Sequence, residues 1–310
     1  MKQQIITLSF LLISWIGFSQ KTFKLDVAAE GNFGSNNADV FRINTTVNPA
    51  TTIAGVYQAT NNTAGLNVLQ DFGYSGNKAL MIEKPSGVGR VIITSYPDLT
   101  ALHTFPTSNA PQTLAMASAT KGYVHMTNPR SFQLVDMINN TMTPVADANN
   151  DFSGNTQNMV YGNGTIYVQI AAKIVKIDTV TNAVSGVITP GIGTIAGIVF
   201  DEIGGKLWAL SGTGTLISID VLNGDALGTP VVTGTSGVSL LRTYNQKLYF
   251  WKLANKQLFI YDTQTLSTLP LTPVYTSTMI GGSWSFGYGR SFDVDKNTGD
   301  FVICSADAFV

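Results

Sequence analysis

The sequence predicts an all-β fold: a seven-bladed β-propeller of four-stranded blades, the last of them incomplete. Three observations carry the prediction. Aspartates recur 42 residues apart, at Asp136, Asp178, Asp220 and Asp262, each closing an apolar, strand-like run such as Phe132 to Asp136 or Leu258 to Asp262. A period of about 40–45 residues built from short strands is that of propeller blades. Large side chains recur with the same period one strand earlier, at Leu80, Tyr123, Tyr167, Trp208 and Tyr249. Six third strands can be placed, near Val40, Val91, Leu134, Val175, Ile217 and Phe259, and a seventh unit begins near Ser291 and stops at Val310 before its own.

One unit shows why each element forms. Met159 to Tyr161 is a short first strand, and Asn163-Gly164 a tight turn of residues that tolerate positive φ. Residues 165–170 and 173–178 are β-branched and apolar, and make the second and third strands. Asp178 then opens a turn, and residues 183–188 are the fourth strand. The pattern Asp-x-x-Asn or Asp-x-x-Thr recurs at Asp136/Asn139, Asp178/Thr181, Asp220/Asn223 and Asp262/Thr265. A carboxylate at the first place of a type I turn accepts backbone N–H bonds, so these aspartates are expected to be structural. The recurring aromatics are expected to pack between blades.

Residues 1–20 form a separate segment. A short basic start precedes an apolar run at 5–18, too short to span a bilayer comfortably and reading as a secretory signal. The remaining 21–310 read as one propeller domain, secreted across an inner membrane to the periplasm or beyond. Residues 21–27 could close the ring; alternatively the chain is a fragment lacking its last strands. Cys304 is the only cysteine, so no intramolecular disulfide forms, and its run from Phe301 marks it as a buried strand residue. With 18 basic and 19 acidic residues the chain has no basic excess for nucleic acid or an anionic membrane surface.

The two faces of such a ring differ. One carries the first-to-second and third-to-fourth turns, which are short here, as at Gly204-Gly205 and Asn223-Gly224. The other carries the second-to-third loops and the connections between blades, which are longer. They include residues 30–37, 83–89, 126–131, 146–157 with Phe152, and 269–289 with Tyr275. Long loops on a rigid scaffold concentrate binding residues. Ring closure would bring residues 31–34 beside 283–290, so the expected ligand-binding patch is Asn32, Phe33, Trp284, Phe286, Tyr288 and Arg290. The bland alternative is that these aromatics only pack the closure seam.

Catalytic and metal chemistry find little support. The two histidines, His103 and His125, lack partners at zinc-ligand spacing, and no phosphate loop or nucleophile elbow opens a helix, because no convincing helix is visible. Residues 293–300 begin like a calcium loop, but the glycine comes one place late and no glutamate follows at the twelfth position, which favours an ordinary hairpin. The cluster Asp147, Asn149, Asn150 and Asp151 is a weaker candidate still. No cofactor, metal or catalytic residue is expected.

Units such as Gly205 to Asp220 resemble the YVTN, or YncE-like, propellers of bacterial envelopes, over nearly the whole chain after residue 20. The stretches Glu30 to Gly34 and Tyr288 to Asp300 are similar to secreted propellers of Gram-negative bacteria, whose relatives include surface proteins that capture cobalamin. The resemblance implies a seven-bladed, non-catalytic binder. Those cobalamin-capturing relatives are lipid-anchored, and no cysteine follows the apolar run here. The expected function is capture of a bulky small molecule, with a cobalamin-like one as the named case, on the loop-rich face. The alternatives are a protein-interaction scaffold of the cell envelope and, less favoured, a propeller lactonase or lyase.

Overall fold

The computed structural model describes residues 24–303, apart from 48, 85–88, 128, 148, 150, 155, 253 and 278–291. The signal segment, Cys304, Trp284, Phe286, Tyr288 and Arg290 lie outside the described residues.

The chain forms successive antiparallel sheets. The first holds β1 (Lys24–Ala29), β2 (Asp39–Asn44) and β3 (Thr51–Ile53), and is followed by a short helix, α1 (Val56–Asn61). The second holds β4 (Leu69–Ser75), β5 (Lys78–Glu83), β6 (Gly89–Ser95) and β7 (Ala101–Thr107). The third holds β8 (Pro111–Ser118), β9 (Lys121–Thr127), β10 (Arg130–Asp136) and β11 (Thr141–Pro144). The fourth holds β12 (Thr156–Gly162), β13 (Thr165–Ile170), β14 (Lys173–Asp178) and β15 (Ala183–Ile188). In the fifth, β16 (Ile195–Asp201), β17 (Lys206–Ser211) and β18 (Thr215–Asp220) are followed by a broken outer strand, β19 (Ala226–Leu227) and β20 (Val231–Val232), both paired to β18. The sixth holds β21 (Val238–Tyr244), β22 (Lys247–Lys252), β23 (Gln257–Asp262) and β24 (Tyr275–Thr276), and β25 (Phe292–Val294) pairs with β26 (Phe301–Ile303) in a hairpin.

The inner strands β4, β8, β12, β16, β21 and β25 pack one against the next, which makes the sheets blades of a propeller. Among the described residues six sheets have three or more strands and the seventh is a two-stranded hairpin, rather than seven four-stranded blades. Among the described residues the first sheet has no inner strand: Asn44 ends β2 with the turn that the aspartates make elsewhere, its Oδ1 accepting from Thr46 N at 2.9 Å, so β1 to β3 correspond to second, third and fourth strands.

The repeated aspartates do what the turn reading requires. Asp136 Oδ1 accepts from Ile138 N and Asn139 N at 2.8 and 3.0 Å, and Asp178 Oδ1 from Val180 N and Thr181 N at 2.9 and 2.7 Å. Backbone hydrogen bonds from Asn139 and Thr181 are the leading cause that holds these two carboxyls below the usual aspartate range. The repeated aromatics bridge blades: Tyr167 stacks on Phe200 at 6.1 Å, Trp208 meets Tyr261 edge-on at 6.3 Å, and Tyr123 Oη donates to Asn182 Oδ1 at 2.7 Å. Lysines at the starts of second strands add a second device, since Lys78 Nζ donates to Met137 O, and Lys121 Nζ to Thr179 O at 2.6 Å, each in the next blade.

The same blade contact sets a glycine. A Cβ on Gly162, at the end of β12, would stand 2.2 Å from the Phe200 ring. Gly162→Ala is therefore expected to cost about 1–3 kcal/mol as Phe200 is forced off its stack, read as a lower denaturant midpoint with an unchanged slope. An unchanged midpoint would mean that this blade contact is loose.

Candidate functional site

The loop-rich face is built around the first and second sheets. Residues 30–38 link β1 to β2, and residues 54–68, including α1, link the first sheet to the second. Their backbones meet in a small bridge, with Ala38 N donating to Leu66 O at 2.8 Å and Leu66 N to Ala38 O at 2.9 Å. Between them opens a cleft of about 230 Å³ lined by Asn36, Tyr57, Thr63, Ala64, Gly65, Leu66 and Arg90.

The side chains at its base are fixed from behind. Glu83 ends β5 directly opposite Arg90 in β6 and is buried. Its Oε2 accepts from Arg90 Nε, and its Oε1 accepts from Asn67 N at 2.6 Å. Asn67 Oδ1 in turn accepts from Gly34 N at 2.9 Å, which ties the 30–38 loop to the same carboxylate. The bond to Glu83 is the leading cause that raises Arg90 above its ordinary value, so the guanidinium is permanently charged. Neither of its terminal nitrogens has a partner among the described residues. Asp39, also buried, holds the other wall: its Oδ1 accepts from Tyr57 N at 2.8 Å and its Oδ2 from Gln58 N at 2.9 Å, so it caps α1. Burial raises the Tyr57 phenol, with Arg90 lowering it and Glu83 and Asp39 raising it. A permanently charged donor, an amide and a hydroxyl can orient a polar ligand here.

The predicted residues divide sharply. Asn32 and Phe33 lie in the loop that walls this cleft, and Phe33 is 62% exposed. Trp284, Phe286, Tyr288 and Arg290 fall outside the described residues, so the structure says nothing of their meeting Phe33. Other expectations are corrected. Glu83 and Gly89 are strand residues rather than loop, and residues 126–131 contain only a two-residue link between β9 and β10. Phe152 is buried against Phe132 at 4.3 Å, and Tyr275 packs on Trp251 and Phe301, so both serve the core instead of a ligand surface. Residues 293–300 form the β25–β26 hairpin, with Asp293 Oδ1 accepting from Arg242 Nε at 3.0 Å and Asp295 Oδ1 from Asn297 N at 2.7 Å. Asp147 accepts from Asp151 N and Phe152 N, which folds its loop back on itself.

Sequence reasoning missed α1, Asp39, Glu83 and Arg90. A usable signal existed for the last two: opposite charges flanking a hairpin loop, which become directly opposed once the strands pair.

No family model matches the chain, and no curated protein matches it. Solved structures do. The chain is similar to the β-propeller domain of Cps50 (Swd1) from Myceliophteria thermophila, at 12% identity and a TM-score of 0.62, covering 94% of this chain and 99% of that one. It is also similar to a chain of a nidogen/laminin complex, at 12% identity and a TM-score of 0.55, covering 82% of this chain and 94% of that one. At such identities the likeness shows the β-propeller fold.

Proposed function

We propose that this chain is a non-catalytic, extracytoplasmic binding propeller that takes a small molecule on the face of its second-to-third strand loops. The observation that carries the reading is the cleft of Asn36, Tyr57, Thr63 and Arg90, in which a buried carboxylate holds a guanidinium whose terminal nitrogens have no partner among the described residues. A site on strand ends and stapled loops is preorganised, which favours binding. Its acids are occupied in structural bonds, Asp39 capping a helix and Glu83 holding Arg90, which supports binding over acid–base chemistry.

The ring is proposed to comprise seven blades. β26 and β1 both correspond to second strands and would run in the same direction, so they cannot be antiparallel neighbours within one blade. The ligand is proposed to be bulky, with a corrinoid the first to test. Typical ligand pockets hold about 300–1,000 Å³, so a bulky ligand would extend past the described cleft, and the sequence patch of Trp284, Phe286, Tyr288 and Arg290 is proposed to receive the rest of it. Tryptophan fluorescence of residues 21–310, titrated with cobalamin and corrected for its absorption, is expected to show saturable quenching. That quenching should weaken at least tenfold in Phe33→Ala and in Trp284→Phe. A flat titration would remove corrinoids as the ligand.

A second reading, a protein-interaction scaffold of the envelope, is favoured by a different observation. On the opposite face the turns opened by Asp136, Asp178 and Asp220 project Ile138, Val180 and Leu222, which are 66%, 83% and 65% exposed. Repeated apolar side chains in water mark a contact surface when they adjoin. Replacing all three by serine should leave the fold intact and abolish cross-linking to an envelope partner if that face docks one; unchanged cross-linking would reject it.

A further inference from the structure

We infer that the cleft holds a singly charged oxyanion of its ligand, a carboxylate or a phosphodiester, on the terminal nitrogens of Arg90 and the Tyr57 hydroxyl; this deepens the small-molecule reading and rests on it. Both residues line the cleft of about 230 Å³.

A comparison within the protein singles out Arg90. Arg42 makes the same kind of cross-strand pair one sheet earlier, opposite Asp26 as Arg90 is opposite Glu83. That pair is two-pronged: Arg42 Nε donates to Asp26 Oδ1 at 2.7 Å and Nη2 to Oδ2 at 3.0 Å, and Nη2 also donates to Pro97 O at 2.7 Å. Arg242 donates from Nε to Asp293 Oδ1 at 3.0 Å and from Nη1 to Leu241 O at 2.9 Å. Each of these arginines commits a terminal nitrogen within the protein. Arg90 does not, and the cause is local. The second oxygen of Glu83 accepts from Asn67 N at 2.6 Å, so the carboxylate meets Arg90 through Nε alone. The terminal nitrogens have no partner among the described residues.

A guanidinium held in this way suits an oxyanion. Its two terminal nitrogens form a planar fork that matches two oxygens of one carboxylate or phosphate, and bonds to a charged acceptor are stronger than bonds to a neutral one. Glu83 fixes the side chain from behind, which lowers the ordering cost of binding. Tyr57 adds a hydroxyl donor beside the fork. Burial raises its phenol, which keeps the proton in place at neutral pH, and Arg90 stands near enough to act on it. Glu83 and Asp39 also act on that phenol, so a second negative charge on the ligand would face two carboxylates. That opposes a dianion and leaves the single charge. The group occupies the cleft while the bulk of the ligand extends beyond it.

The test is ligand-detected NMR titration of residues 21–310 with two anions and their neutral counterparts: benzoate against benzamide, and diphenyl phosphate against its methyl ester. Wild type is expected to bind at least one anion and to bind its neutral counterpart at least tenfold more weakly. Benzoate alone would assign a carboxylate, and diphenyl phosphate alone a phosphodiester. Arg90→Lys keeps a charge opposite Glu83 but loses the fork, and should weaken anion binding at least tenfold. Tyr57→Phe should weaken it less. Circular dichroism verifies that each variant is folded, and the comparison of anion with neutral counterpart needs the wild-type chain alone. Equal binding of a neutral counterpart, anion binding unchanged in folded Arg90→Lys, or no anion binding to wild type would each overturn the inference. In the last case, saturable cobalamin quenching would leave the small-molecule reading standing and end only the oxyanion site.

Discussion

Lowering the pH from 6.5 to 4 is expected to cost the fold about 3 kcal/mol through one side chain, His125. His125 lies in β9 and is 0% exposed, its ring 4.9 Å from that of Phe132. Neither ring nitrogen has a hydrogen-bond partner among the described residues. Burial is the main cause that pushes it down to about 4, with Arg130 adding repulsion. The unfolded chain, whose histidine titrates near 6.5, therefore binds more protons than the folded chain between those two values. Stability is fully present above 6.5 and is lost as the pH falls through the window. The turn aspartates, held below the usual carboxylate value of 3.8, give up their contributions only at lower pH. Glu30, raised by burial, acts in the opposite sense just above its ordinary value of 4.5. Comparing wild type with His125→Leu cancels both. Urea unfolding at pH 7 and at pH 4.5 should show a large loss for wild type and a much smaller one for the variant. Parallel losses would mean that His125 is protonated in the folded state, as it would be if water or a neighbouring acceptor reached its ring.

That histidine illustrates where sequence reasoning stopped. From the sequence it is a polar strand residue beside a loop, and strand alternation does say which residues share a face of a blade. It does not say what closes over them, and here the cover includes Phe132 and, against it, Phe152 from the next connection. The aspartate period was legible because a turn needs a side-chain oxygen at one fixed place, and chemistry that local repeats with the blade. The first sheet was harder to read because Asn44 replaces the aspartate. α1 was invisible for a physical reason. It has six residues, is preceded by Gly55 with no side-chain cap of its own, and takes its cap from Asp39, eighteen residues before Tyr57. Helices that short do not persist without tertiary support. The candidate site was half legible. The loop-face argument pointed to the 30–38 loop, whose Asn36 lines the cleft, while Glu83 and Arg90 needed the register of β5 on β6.

Because α1 depends on one distant carboxylate, Asp39→Ala should be among the most damaging single changes on the loop-rich face. The Asp39 carboxylate accepts three backbone N–H bonds, from Val40 at 2.6 Å, Tyr57 at 2.8 Å and Gln58 at 2.9 Å. Two of these are first-turn donors of the helix, which have no acceptor within it. Alanine strands the Tyr57 N–H where water reaches poorly, since Tyr57 is buried, and leaves the part-buried Gln58 N–H without its acceptor. The expected cost is about 2–3 kcal/mol, the upper range for losing a helix cap that is also a charged acceptor. The damage should be local before it is global. Hydrogen exchange should quicken first at residues 56–66, while the amides of β8 to β18, which belong to the third to fifth sheets, stay protected. With α1 loosened, Tyr57 and Thr63 leave the cleft wall, so small-molecule binding there should fall even below the denaturation midpoint. Uniform exchange across all blades would show instead that the first sheet and its helix are not a separable unit and that Asp39 supports the whole ring.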